Sequence, residues 1–65
     1  MALQQDQFFK TVTTVVRNME EDDYPINQSL KDSINPKELY EKSLANDVPW
    51  RHWQNWIHEQ ILQKM

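Results

Sequence analysis

The spacing of hydrophobic residues along the chain predicts three main helices. In the first segment these residues occur at positions 8, 9, 12, 15, 16 and 19. A helical stripe with steps of 3, 4 and 3 residues connects Phe9, Val12, Val16 and Met19. The β-branched run TVTTVV is more typical of a strand, but its adjacent valines break the alternation that a strand requires. We predict a helix over about residues 5–20, with an apolar stripe broad enough to pack against more than one neighbour.

The segment from residue 26 to residue 33 has a less decisive pattern. The acidic run EEDD and Pro25 end the first helix, because negative charges oppose the dipole at a helix C-terminus and proline disfavours helix in the residue before it. Ile26, Leu30 and Ile34 are spaced by four residues, which suits one side of a short helix. A short strand or an irregular segment fits almost as well. In each case we expect the three side chains to attach this segment to the core.

The start of the second main helix has the clearest local signal, the sequence INPKELY. Asn35 is placed to act as the N-cap, and Pro36 occupies the first helical position. Glu38 can reach back to the cap, and Ile34 and Leu39 are placed to form a hydrophobic staple. We predict a helix over residues 36–45. Its expected core residues are Leu39, Tyr40 and Leu44.

The last main helix is predicted over residues 48–63. Asn46 is expected to end the preceding helix as the C′ residue. Asp47 or Val48 then caps the last helix, and Pro49 lies in its first turn. An α-helix turns by 100° per residue, which places five apolar residues on a stripe about 140° wide: Trp50, Trp53, Trp56, Ile57 and Ile61. The three tryptophans would thus form most of one helix face.

Composition supports a single small all-α domain that spans residues 1–65. The chain has 65 residues, no cysteine and no glycine. A chain of this length buries only about 60% of the surface that it exposes when unfolded, so the tryptophan face would supply much of the core. The absence of glycine excludes phosphate-binding glycine loops and leaves the turns to asparagine, aspartate and proline.

The charge pattern favours a protein partner over nucleic acid. The net charge is −3, and an acidic chain gains little from the counterion release that dominates non-specific binding to DNA. The acidic run at residues 20–23 is interpreted as a solvated turn, with a docking patch for a basic partner as the alternative. No apolar run is long enough to span a membrane, and no signal peptide is evident. We therefore expect a soluble cytoplasmic protein.

The sequence offers no recognisable catalytic, cofactor-binding or metal-binding constellation. No serine lies in a nucleophile-elbow context, which needs glycines. His52 and His58 are six residues apart and would point about 120° away from each other on one helix, whereas two metal ligands on a helix need a spacing near four. We predict that the protein is not an enzyme and binds no cofactor.

The number of large apolar residues predicts an interface with another protein chain. One small domain has little interior for all of them, and large exposed apolar patches usually mark interfaces. We expect a homodimer or tight association with a partner, with Trp53 in the core and Trp56 at the edge of the stripe. The predicted partner-binding residues are Phe8, Phe9, Trp50, Arg51, Asn55 and Trp56.

Two further functions are compatible with the same pattern. The second and last helices, joined by the sequence AND, fit the spacing of a helix-turn-helix unit. In a DNA-binding protein of this kind, helix 48–63 would read bases with Arg51, Gln54 and Asn55. The third possibility is a structural or assembly module.

The segments INPKELYEK and WQNWIHEQI together resemble the N-terminal motif of phage antirepressors of the AntA/AntB type. The first part of the motif is matched by Ile34, Asn35, Lys37, Glu38, Leu39 and Tyr40, and the second by Trp53, Trp56, Ile57 and Ile61. The resemblance implies a regulatory protein of a bacterium or a phage-infected host. Such a protein inactivates a transcriptional repressor by binding it.

Overall fold

The protein is an all-α domain, as predicted. The computed structural model describes the backbone of residues 2–65 and the side chains of residues 4–65. Within that part of the chain there are four α-helices, one 3₁₀ turn and no strand. In chain order these elements are α1 (Ala2–Glu21), α2 (Gln28–Ser33), α3 (Pro36–Ala45), the 3₁₀ turn (Trp50–His52) and α4 (Trp53–Lys64). The domain measures 33 × 18 × 17 Å.

Helix α1 runs in the same general direction as α4 and opposite to α3. Near the start of α1, Phe8 packs against Trp53 at the start of α4, with ring centroids 5.1 Å apart. Just beyond the end of α1, Tyr24 packs against His58 further along α4, at 5.5 Å. Phe8 also contacts Tyr40 in the middle of α3 at 5.3 Å, whereas the second half of α1 lies beside the residues that begin α3. The predicted packing of α1 against more than one neighbour is confirmed.

The buried face of α1 is rotated by about 50°, half the angle between adjacent residues, from the predicted stripe. Its fully or almost fully buried residues are Phe8, Val12, Val15 and Met19. Phe9 and Val16, which belonged to the predicted stripe, are only partly buried. The two possible stripes share Val12 and Met19 and differ by a single position elsewhere, so periodicity alone does not distinguish them. The contacts with both α3 and α4 decide which residues lie at the centre.

The predicted N-cap and first residue of α3 are confirmed, whereas the Glu38 side chain forms no hydrogen bond back to the cap. The Asn35 side chain accepts hydrogen bonds from the backbone N–H groups of Lys37 (3.1 Å) and Glu38 (3.3 Å), and Pro36 is the first helical residue. Leu39 is buried, and Ile34 packs against the core at its edge. The side-chain cap therefore fixes the position at which α3 begins.

The prediction that Leu44 is buried was wrong. Leu44 is 57% exposed, whereas Ser43 is buried and donates a hydrogen bond from Oγ to the carbonyl oxygen of Tyr40 at 2.6 Å. Ser43 lies one turn beyond Leu39 and about 40° from it around the helix, while Leu44 lies about 140° away. The buried face of α3 follows Leu39 and Ser43, which leaves Leu44 in solvent.

Aspartates, in place of glycine, end two of the helices. At the end of α3, Asp47 adopts a left-handed φ of 52°, Val48 N–H donates to Ser43 O at 3.0 Å, and Asp47 N–H donates to Leu44 O at 3.2 Å. This pair of hydrogen bonds is a Schellman motif. The C′ residue is thus Asp47, one position later than the predicted Asn46, which has a φ of −102°.

The end of α1 repeats the same motif. Asp23 has a φ of 65°, Tyr24 N–H donates to Met19 O at 3.1 Å, and Asp23 N–H donates to Glu20 O at 3.2 Å. Aspartate and asparagine tolerate the left-handed region better than most residues, which explains how a glycine-free chain closes both helices.

The segment between α1 and α3 contains a short helix, α2, which was one of the alternatives that the spacing of Ile26, Leu30 and Ile34 left open. The Asn27 side chain caps α2 by accepting from the N–H of Leu30 at 2.8 Å. Leu30 is buried, and the two isoleucines are partly buried against the core. The expected attachment of this segment to the core is confirmed.

The prediction of one continuous helix over residues 48–63 was wrong at its start. Pro49 is extended, with φ −70° and ψ 152°, and lies outside the helix. A 3₁₀ turn follows, in which His52 N–H donates to Pro49 O at 2.9 Å, and α4 begins only at Trp53. The Schellman motif of α3 leaves the chain extended at Pro49. A proline can occupy either that position or the first turn of a helix, because its φ suits both.

Candidate functional site

The three tryptophans occupy three different environments. Trp53 is only 8% exposed and packs edge-on against Phe8, with an interplanar angle of 80°. Trp56 is partly buried, with its ring centroid 6.5 Å from that of Phe8. Trp50 is 74% exposed, the largest exposure among the large hydrophobic residues that the structure describes. The predicted core position of Trp53 and edge position of Trp56 are confirmed. Trp50 was predicted in the same apolar stripe, but it lies in solvent on the 3₁₀ turn.

The residues predicted to bind a partner divide between core and surface. Phe8 is completely buried at the centre of the aromatic cluster, so its assignment to a partner surface is corrected. Phe9 and Trp56 are partly buried at the edge of the core. The other three residues of the set are exposed and lie on the 3₁₀ turn and the first turn of α4: Trp50, Arg51 and Asn55.

The backbone on both sides of Trp50 is hydrogen-bonded, so the indole projects from a defined turn. Before it, Val48 N–H closes the Schellman motif of α3. After it, the N–H groups of His52 and Trp53 donate to the carbonyl oxygens of Pro49 and Trp50. The exposed ring is therefore carried by a backbone that the fold holds in place.

An open groove of about 430 Å³ lies between α1 and the 3₁₀ turn, and we name it the Trp50 groove. Its lining residues are Gln7, Lys10, Thr11, Trp50, Arg51, Trp53 and Gln54. Two of these side chains are basic and none is acidic, although the whole chain carries ten acidic and seven basic residues. The groove thus combines an exposed aromatic ring, two cations and several uncharged hydrogen-bonding groups.

Neither cation of the Trp50 groove is in an ion pair. Among the described residues the single salt bridge joins Lys31 Nζ to Glu20 Oε2 at 2.8 Å, on the side of the domain that carries α2. The acidic run at residues 20–23 lies at the end of α1, about 15 Å along the helix axis from Lys10. Lys10 and Arg51 therefore keep their charges available to a molecule that enters the groove.

Sequence reasoning missed Lys10 and Leu44 as surface features of interest. Lys10 lines the same groove as Arg51 only because α1 lies beside the 3₁₀ turn, and no local sequence pattern indicates that arrangement. Leu44 is exposed because α3 buries Ser43 instead. Further exposed apolar side chains, Leu62 and Met65, lie at the end of α4.

Other chemistry is sparse in the described part of the chain. No group of three or more histidine, cysteine, aspartate or glutamate side chains there is arranged to hold a metal ion. His58 packs edge-on against Tyr24, and His52 is exposed on the 3₁₀ turn. None of the helices over residues 2–64 combines the length and the apolar character needed to cross a membrane.

Comparison with protein-family models, with curated proteins and with solved structures finds no match to this chain. The Trp50 groove is therefore the feature of the protein that most directly indicates a function.

Proposed function

We propose that the domain is a small regulatory protein that binds another protein through the Trp50 groove. The observation that carries this proposal is the exposure of Trp50 on a hydrogen-bonded turn, in a chain whose other two tryptophans serve the core. Tryptophan is enriched among the residues that dominate binding energy at protein interfaces. A rigid ring on an ordered turn also loses little conformational freedom when a partner covers it.

The most concrete form of this proposal is an antirepressor that binds and inactivates a transcriptional repressor. Its support is the resemblance of INPKELYEK and WQNWIHEQI to the phage antirepressor motif. The two halves of that motif contribute to a single core here, because Leu39 of α3 and Trp53 and Ile57 of α4 are all buried in it with residues of α1. The motif residues would then build the scaffold, and the exposed residues beside them would contact the repressor.

DNA binding by α4 and the preceding turn is the second candidate function. Arg51, Gln54 and Asn55 are all exposed, and the first two line a groove without acidic side chains. The net charge of −3 opposes this function, because a DNA-binding surface normally neutralises several phosphates. A homodimer that covers the Trp50 groove with a second copy, as in an assembly module, is the remaining alternative.

Site-directed photo-crosslinking in the cells that make the protein tests the main proposal. A benzophenone side chain is placed at position 54, inside the Trp50 groove, and in a matched control at the exposed position of Glu59. We expect a protein adduct from position 54 that is lost when Trp50→Ala is added, and no such adduct from position 59. Adducts that are equal at both positions, or that persist without Trp50, contradict the proposal. An adduct with a transcriptional repressor supports the antirepressor form.

A further inference from the structure

We infer that the Trp50 groove binds an acidic segment of the partner protein, one that places an apolar side chain against Trp50 and carboxylates against Lys10 and Arg51. This inference rests on the proposed function, because it names the chemistry of the segment that the groove takes.

Charge complementarity is the first support. The chain has more acidic than basic residues, yet the lining of the groove contains two cations and no acid. The nearest acids in sequence, Asp6 and Asp47, do not line it. Lys10 comes from α1 and Arg51 from the 3₁₀ turn, so the fold brings together two like charges that sequence does not place side by side. Two unpaired cations that line one groove give it a positive charge, which an anionic segment would complement.

The remaining lining residues suit a peptide. Gln7, Thr11 and Gln54 can donate and accept hydrogen bonds, as the backbone of a bound segment requires. The Arg51 guanidinium can bind a carboxylate through two parallel hydrogen bonds, and the Trp50 ring offers an apolar surface next to it. An acidic residue close to an aliphatic or aromatic residue would satisfy both groups at once.

Two other occupants fit the same observations less well. Nucleic acid would gain little from only two cations, because its affinity grows with the number of phosphates that the protein neutralises. A second copy could offer its acidic run at residues 20–23, but Glu20 of that run is already paired with Lys31. Two copies with a net charge of −3 each also repel one another.

Nuclear magnetic resonance of the tryptophan indole N–H groups tests the inference on the full chain. The probes are a short synthetic peptide of alternating aspartate, glutamate and leucine, the same peptide with asparagine and glutamine in place of the acids, and a thymidine oligonucleotide. We expect the acidic peptide to shift the Trp50 signal most strongly and to leave in place the signal of Trp56, which does not line the groove. Two exposed ion pairs, each worth roughly two- to five-fold, should make it bind roughly four- to twenty-five-fold more tightly than the neutral peptide.

Charge-removing variants complete the test. Lys10→Gln and Arg51→Gln should each weaken binding of the acidic peptide by roughly two- to five-fold. Lys37→Gln removes an exposed charge outside the groove and is the matched control, which should bind as the unaltered protein does. All three positions are exposed, so the variants should fold.

Several results would overturn the inference. These are equal binding of the acidic and neutral peptides, no binding of either, a stronger shift of the Trp50 signal by the oligonucleotide, or a shift that appears on concentrating the protein alone. Failure of the inference is distinguishable from failure of the proposed function. If the crosslink from position 54 still depends on Trp50, the protein-binding function stands and only the acidic character of the partner is wrong.

Discussion

Trp50 and Trp53 are three residues apart, yet one side chain is 74% exposed and the other 8%. In a continuous helix the two rings would lie about 60° apart on the same face. Here the helix is not continuous: Trp50 lies on the 3₁₀ turn, His52 has non-helical angles of φ −104° and ψ 1°, and regular α-helix begins only at Trp53. The same residue type therefore serves the core within α4 and the surface on the turn that precedes it.

The largest expected effect follows from removing the buried member of this pair. Trp53→Ala should lower the free energy of unfolding by about 3–5 kcal/mol, the usual cost of a large-to-small aromatic change in a core. A domain of this size has few interactions in reserve and should lose most of its folded population. Urea denaturation followed by circular dichroism measures the change. Trp50→Ala is the matched control, and it should alter stability by no more than about 0.5 kcal/mol. Equal losses from the two variants would contradict the division of roles.

The partly buried Trp56 should give an intermediate effect. It packs at the edge of the cluster around Phe8, so Trp56→Ala should cost about 1–2 kcal/mol, roughly half the value of complete burial. The variant should remain folded by circular dichroism. Complete unfolding would show that Trp56 supports the core as much as Trp53 does.

The contrast between the starts of α3 and α4 predicts a smaller effect. Asn35 caps α3 with two hydrogen bonds, whereas neither Pro49 nor His52 contributes a side-chain cap to the segment that carries the tryptophans. Asn35→Ala should lower stability by about 0.5–2 kcal/mol, while His52→Ala should have little effect. Thermal unfolding of the two variants compares them directly. Similar midpoint temperatures would show that the Asn35 cap does not contribute measurably to stability.

The smallest expected effect concerns the turn that sets the position of Trp50. Asp47 holds a left-handed φ of 52°, which glycine adopts without a Cβ clash. Asp47→Gly should raise the free energy of unfolding by about 0.5 kcal/mol, because the strain that it relieves exceeds the added flexibility of the unfolded chain. Asp47→Ala should lower it. If the glycine variant is the less stable of the two in chemical denaturation, the strain at this turn is not significant.

Features fixed by adjacent residues were predictable from the sequence, whereas features fixed by packing were not. The start of α3 at Pro36 follows from Asn35 and its neighbours, and both ends of that helix were predicted within one residue. The centre of the buried face of α1 was not, because Phe8 and Phe9 fit helical periodicity equally well. Leu44 was assigned to the core because it is apolar, whereas the polar Ser43 is buried with its hydroxyl group bonded to the Tyr40 carbonyl oxygen.

The candidate site was predictable only in part. Trp50 and Arg51 were predicted to bind a partner and both line the Trp50 groove, although Trp50 was expected to share a stripe with Trp53. Pro49 was read as part of a helical first turn, and its φ alone does not distinguish that position from an extended one. Lys10 could not be assigned, because its place beside Arg51 exists only once α1 packs against the 3₁₀ turn.

Hydroxyl-radical footprinting with peptide mass spectrometry tests the division between Trp50 and Trp53 most directly. The rate of oxidation of a side chain rises with its exposure, so each tryptophan reports its own environment in the native protein. Trp50 should be oxidised rapidly, Trp56 more slowly and Trp53 least, and the three rates should converge in denaturant. Similar rates for Trp50 and Trp53 in the native protein would contradict the account, because both rings would then belong to one environment.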